Sequence, residues 1–342
     1  MFQKNPKFDT RRKPSKKKAI LLAAIILIFI IAGTFIYKTG FTFSKIITIK
    51  NIAWERIFGN LPPSEYIPLK DEDRINILLL GIRGIGDENG GMLTDSIMIL
   101  SFKKSSSKAA MISVPRDLYV QMPGESYSEK VNAAYAIGEK RYQNGLDYSK
   151  KTIGYITGLY IDYAAAADFK AFKTIIDNLG GVTIFLEKPF IEDRQWWCEK
   201  NGENCQPFIV KAGNQTLDGE TALFYVRSRF SSDDFDRARR QQQIMLAVKD
   251  KILSLGVLAN PLKINNLFDT VAENVRIDVA PWEIPNLIKW AQKADTETII
   301  RKVFDVSSEG LLYQTERDGI YILLPEGENF DKIRETCQQI FE

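Results

Sequence analysis

Arg227, Arg229, Arg237, Arg239 and Arg240 fall within fourteen residues, the stretch where this chain could most readily do chemistry. From Asp233 no Pro or Gly interrupts the run until Gly256, which predicts a helix with Asp233 or Asp234 near its N-terminus. Asp234, Arg237 and Gln241 then share one helix face, with Arg240 one step around. Guanidinium groups are planar forks matched to phosphate oxygens, and they stay charged at any working pH. A cluster of them beside a carboxylate suits a phosphoryl or diphosphate substrate better than a neutral one. A solvated, salt-bridged helix face is the competing reading for any Arg-rich helix.

Other residues could join this chemistry. Gly81, Gly84, Gly86, Gly90 and Gly91 make a loop through which backbone N–H groups could approach phosphate. It matches neither a Walker A sequence nor a glycine fingerprint opening a helix, and a wide turn explains it equally well. Asp95 directly precedes an apolar stretch, where a carboxylate could ligate Mg²⁺ alongside substrate phosphates, or act as a turn residue. Arg116 follows Pro115, and pairing with Asp117 on the surface is its simplest role. The chain has no His and only three Cys, which argues against zinc and removes any Ser-His-Asp triad or His general base. The remaining reagents are carboxylates, Arg, Lys, Tyr and a metal held by oxygen.

These residues need a frame. Apolar runs predict strands over residues 75–82, 96–102 and 109–114, then helices over 130–141 and 148–159. A short strand over 163–167, a helix over 169–178, a Gly180-Gly181 stop, a strand over 182–186 and a helix over 218–226 follow. Interleaving of this kind predicts an α/β fold, a mixed central β-sheet sandwiched by helices, with some antiparallel pairing. If the second strand runs back beside the first, residues 81–91, Thr94-Asp95 and Arg116-Asp117 collect at one end of the sheet, where α/β sites form. Near the C-terminus a strand over 319–324, a turn over 325–327 and a helix over 330–341 are expected to complete the wall, with Cys337 on or near the core.

Charge and hydropathy divide the chain. Residues 1–18 hold eight Lys or Arg and one Asp, a local +7 against +3 for the whole, so the remainder is near −4. That body is no basic nucleic-acid binder by composition. Residues 19–37 carry no charge and are long enough to span a bilayer. The cationic flank predicts a cytoplasmic tail and an extracytoplasmic body. A cleaved signal peptide competes, although its apolar core would be shorter and end in a small-x-small site. Residues 38–74 look like a stalk, and 75–342 form the extracytoplasmic domain. Outside the cell Cys198 and Cys205 could form a local disulfide, or remain as two thiols.

Seven fragments, in order over about residues 75–245, resemble the LytR–CpsA–Psr (LCP) family. They are Asn76-Ile77-Leu78-Leu79-Leu80-Gly81-Ile82; Thr94-Asp95-Ser96; Val114-Pro115-Arg116-Asp117; Lys130-Val131-Asn132-Ala133-Ala134-Tyr135; Asp168-Phe169 with Gly180-Gly181-Val182; Leu217-Asp218-Gly219-Glu220; and the arginine motif. The resemblance implies a membrane-anchored, Mg²⁺-dependent phosphotransferase. It would move a glycan phosphate from a polyprenyl diphosphate to a cell-wall peptidoglycan hydroxyl, with an apolar pocket for the lipid. Carried over by motif, Asp95 is a Mg²⁺ ligand and Arg116, Arg227, Arg229, Arg237 and Arg240 hold the diphosphate. Arg116, Asp234 and Arg237 are the catalytic set, with Asp234 as base for the acceptor or as orienter of Arg. Many members carry Asp directly after the Gly-Ile of the first strand; here that residue is Arg83, and Asp87 is the candidate replacement. Leu93 stands where a polar residue is usual, and residues 195–205 look like an insertion. A polyprenyl-diphosphate hydrolase and a non-catalytic lipid-diphosphate binder remain alternatives.

Overall fold

The strand β1 (Arg74–Ile82) is buried along nearly its whole length, so it belongs at the middle of a sheet covered on both faces. In the computed structural model, which describes residues 67–84, 91–197, 206–254, 274–280, 283 and 299–342, it does. Its antiparallel neighbour is β2 (Thr94–Lys103), which pairs antiparallel with β3 (Lys108–Ser113). A hairpin of two three-residue strands, β4 (Tyr119–Gln121) with β5 (Ser128–Lys130), leads into α1 (Ala134–Tyr142) and α2 (Gly145–Thr157). The alanine-rich β6 (Tyr163–Ala167) then pairs parallel with β1 on its other side.

After β6 come α3 (Phe169–Asn178), β7 (Val182–Leu186), β8 (Phe190–Trp197), β9 (Gln206–Val210) and β10 (Gly213–Leu217). The arginine motif spans the end of α4 (Gly219–Arg227) and the start of α5 (Asp234–Ser254). Short strands β11 (Val275–Ile277) and β12 (Ile300–Val303) close the two edges of the six-stranded sheet, in the order β11-β6-β1-β2-β3-β12. A hairpin of β13 (Leu312–Arg317) and β14 (Ile320–Pro325), then α6 (Asp331–Gln338), end the chain.

Side chains alternate across β1 into two cores. Ile75 and Ile77 pack with residues of α3, α4 and α5 on one face. Leu78, Leu80 and Ile82 pack with α1, α2 and α6 residues on the other, where Cys337 is fully buried. The expected helix–sheet–helix sandwich is therefore present. The helix expected over 130–141 begins only at Ala134, because Ser128–Lys130 is paired as strand with Tyr119–Gln121 and a 3-10 turn intervenes. The helix expected from Tyr148 begins at Gly145, where Asn144 caps it by accepting from Asp147 N at 3.1 Å.

The expected gathering at one sheet end is observed for Gly81 to Gly84, Thr94-Asp95 and Arg116-Asp117; residues 85–90, with Gly86 and Gly90, lie outside the described residues. Gly81 is opposite Ser96 and beside Ala167, and a bulge shifts Ile82 opposite Thr94. Asp95, Arg116 after β3, and Asp168 after β6 thus share an edge. Among the described residues no helix is long and apolar enough to cross a membrane; residues 19–37 lie outside them.

Candidate active site

At that edge a cavity of about 380 Å³ opens between the sheet and α3, α4 and α5. Its bore is apolar: Leu79 and Met98 from the sheet, Phe172 and Ile176 from α3, Leu223 from α4, Ile244 and Val248 from α5. The alanines of β6 explain why the space exists. Ala165 and Ala167 present single methyl groups to it where larger side chains would fill it. Its mouth is charged. Five arginines (Arg83, Arg116, Arg227, Arg229, Arg237) and two aspartates (Asp95, Asp168) are among the lining residues.

Arg116 organises the mouth. Its Nη1 donates to Asp95 Oδ1 at 2.7 Å, and its Nε is shared between Asp117 Oδ2 at 3.3 Å and Asp234 Oδ2 at 3.2 Å. Lys130 Nζ donates to the other oxygen of Asp117 at 2.7 Å. Arg237, one turn after Asp234 on α5, grips that carboxylate with both terminal nitrogens at 3.1 Å. Arg227 lies over the Phe169 ring at 4.3 Å, which steers its guanidinium across the mouth. Gln241, a further turn along α5, accepts from Ser96 Oγ at 2.9 Å.

The electrostatics favour an anion. Burial pushes the Asp95 carboxyl up, but Arg116, then Arg83 and Arg237, outweigh it and hold the group ionised below the usual carboxylate range. For Arg237, burial together with the like charges of Arg116 and Arg229 lowers its pKa despite Asp234. Even adding Asp117, Asp234 and Lys130 to the lining residues leaves two more cations than carboxylates. An unbalanced, half-buried guanidinium cluster above an apolar bore is matched by a ligand with a diphosphate head and a hydrocarbon tail.

The expected site residues do not all converge. Arg116, Arg227, Arg229, Arg237 and Asp95 line the cavity, and Asp234 touches two of those arginines. Arg240 does not line it, contrary to the role expected from the motif. Its buried guanidinium donates to Tyr225 O, Ser228 O and Ser232 Oγ and stacks on Phe190 at 4.6 Å, tying the α4–α5 loop together. Arg239 points outward to Asp236 and Asp305. Asp87, Cys198 and Cys205 lie outside the described residues.

For a divalent cation the donor set is thin but fitting. Among the described residues no group of three His, Cys, Asp or Glu could hold an ion. Among the described residues Asp95 and Asp168 are the carboxylates lining the mouth, and Mg²⁺ commonly uses one carboxylate with phosphate oxygens and water. Asp95 Oδ2 accepts from Arg83 Nε at 3.3 Å, so a fixed cation competes for it.

One positioning residue left no local signal in the sequence. Glu192 on β8 is fully buried and accepts from Phe230 N at 2.9 Å, Ser231 N at 3.1 Å and the Ser231 hydroxyl. Its partners lie 38 and 39 residues away, in the loop that carries Arg229 and Phe230.

The LytR_cpsA_psr family matches residues 48–339 of this chain. The polyisoprenyl-teichoic acid–peptidoglycan teichoic acid transferase TagT of Bacillus subtilis (strain 168) is 27% identical over 278 residues, 80% of this chain and 78% of that protein. The crystal structure of B. subtilis TagV is 26% identical, with a TM-score of 0.59 over 79% of this chain and 98% of that one. A structure of TagT bound to LIIa-WTA shares the fold, at 22% identity and a TM-score of 0.59 over 83% of this chain and 97% of that one.

Proposed function

Because the chain belongs to the LytR_cpsA_psr family, we propose that it transfers a glycan phosphate from a polyprenyl diphosphate to a peptidoglycan hydroxyl. Relatives named as teichoic acid transferases support the class of reaction. The observation that carries it to this chain is the apolar cavity with an arginine-rich mouth.

In this reading the polyprenyl chain enters the bore and Arg116, Arg227, Arg229 and Arg237 hold the diphosphate. Phosphoryl transfer needs charge neutralisation and in-line positioning more than covalent chemistry. The guanidiniums supply both without a histidine. Asp234 orients Arg116 and Arg237, and accepts the acceptor's proton once the diphosphate draws those arginines partly away. Mg²⁺ held by Asp95 would add neutralisation on the diphosphate oxygens. Arg83 moderates that need by sharing the same carboxylate, and Asp87 is a second candidate ligand on sequence grounds. The reading includes an anchor at 19–37 and an extracytoplasmic body; both rest on hydropathy and charge. No nucleic-acid role is part of it.

The test is the full-length chain incubated with a polyprenyl-diphosphate glycan, Mg²⁺ and peptidoglycan fragments. A covalent glycan–peptidoglycan conjugate, lost in Arg237→Lys and in Asp234→Asn, is expected. Release of free glycan phosphate alone would make the enzyme a hydrolase. Donor binding with no turnover would make it a binder.

A further inference from the structure

In an in-line displacement the attacking hydroxyl and the leaving oxygen lie on opposite sides of phosphorus. With the lipid in the bore, the leaving phosphate faces inward, so the acceptor must arrive from outside the arginine cage. Arg116 marks the boundary. Its Nη1 holds Asp95, which lines the cavity, while its Nε holds Asp117 and Asp234, which do not. The Asp234 side chain is 30% exposed, so this outer side is open to solvent.

The β13–β14 hairpin forms its wall. Leu323 N donates to Asp117 O at 3.0 Å, and Leu323 bridges Leu118 in parallel. Phe235, the neighbour of Asp234, is buried in the same cluster as Leu118 and Leu323. The hairpin turns tightly through Asp318 and Gly319, both at positive φ, which suits a two-residue turn and fixes the start of β14. Tyr321 stands there, a large aromatic left 42% exposed. The parallel bridge of Leu323 to Leu118 places Tyr321, two residues earlier on β14, in register with Arg116, and partial burial together with the charges of Asp117, Asp234 and Asp233 raises the pKa of its phenol.

We propose that Tyr321 is the floor of the acceptor subsite, a platform on which a sugar ring of the acceptor packs while its hydroxyl reaches Asp234. A saccharide suits the position chemically. Its C–H faces are apolar and its rim is hydroxylated, and tyrosine offers an apolar body with a polar tip. Lys130, partly exposed and held by Asp117, supplies a charged partner for the rim. The inference rests on the transferase reading above and adds to it where the second substrate binds.

The experiment uses full-length wild type, Tyr321→Ala and Tyr321→Phe, with a polyprenyl-diphosphate glycan as donor and a soluble peptidoglycan disaccharide as acceptor. Three quantities are measured: donor Kd, donor turnover without acceptor, and acceptor KM. Tyr321→Ala should raise acceptor KM about tenfold, the loss of one aromatic contact, with donor Kd and acceptor-free turnover unchanged. Tyr321→Phe should keep most of the affinity, because the ring remains. A wild type that forms conjugate together with an unchanged KM in Tyr321→Ala overturns the subsite, as does an equal loss of donor affinity. A wild type that binds donor and forms no conjugate overturns the transferase reading itself, and the subsite with it.

Discussion

Arginine and lysine carry the same charge, but only arginine presents a planar fork, and the cavity mouth is built for forks. At Arg227 and Arg237, replacement by Lys should weaken donor binding on the order of tenfold or more, since a charge-assisted hydrogen bond contributes about 1.5–3 kcal/mol. Donor titration against each variant, with melting temperature as control, measures this. Arg239 is the internal comparison. Its side chain is 53% exposed and paired with the half-exposed Asp236 and the less exposed Asp305, so Arg239→Ala should bind donor like wild type and change stability by about 0–1 kcal/mol. Arg240 should behave differently from both. Its bonds go to carbonyls of its own chain, so Arg240→Ala should lower stability by about 1.5–3 kcal/mol, read as a drop in melting temperature preceding any specific donor defect. The i, i+3, i+7 spacing made Asp234, Arg237 and Gln241 legible from sequence. The inward turn of Arg240 was not, because its partners, two backbone oxygens and the Ser232 hydroxyl, become neighbours only once the α4–α5 loop is folded.

Periodicity made the elements around the site legible wherever burial was one- or two-sided along a continuous run: β1, β2, β3, β6, α3 and α5 all lie close to their expected bounds. The edge strands β11 and β12 were not, being three and four residues long and defined by partners far along the chain. The β8–β9 hairpin belongs with them, and it reaches the site through Glu192. Burial pushes that carboxyl up, but bonds from the Ser231 hydroxyl and from the N–H groups of Ser231, Arg194 and Phe230 outweigh it and lower its pKa. Glu192→Gln keeps the shape, replaces one accepting oxygen with a donor and removes the charge. Hydrogen exchange at the Phe230 and Ser231 amides should accelerate, and donor KM should rise severalfold with Arg227 and Arg237 untouched. Unchanged exchange at both amides would mean that the loop holds itself.

At the scale of the whole molecule, the gathering of three segments at one sheet end could be argued from strand order alone. The cavity could not, since it depends on how α3, α4 and α5 stand off from the alanines of β6. One partly buried group far from it should make global stability pH-dependent. Asp162 accepts from Asn76 N at 2.9 Å, and burial pushes its pKa up to about 6, against the smaller pull of Lys70, Lys104 and Lys150. The folded protein therefore binds this proton before the unfolded chain does, and the group's contribution to stability grows as pH falls from about 6 to about 4. Asp162→Asn keeps an accepting oxygen without the charge. It should melt higher than wild type at pH 8 and lose that advantage near pH 4, a comparison two melting series would make. The bore itself has a consequence for how the proposed transferase would meet its lipid. About 380 Å³ is at the lower end of pockets for drug-sized molecules, so on the proposed reading it would take only the head-proximal part of a long polyprenyl chain. The rest of the carrier would then stay dissolved in the bilayer, and each turnover would dip a short leg of it into the protein without lifting the whole lipid out. With donors of increasing chain length, KM should fall while the bore fills and then level off, whereas a continuing fall would mean that the protein swallows the carrier entire.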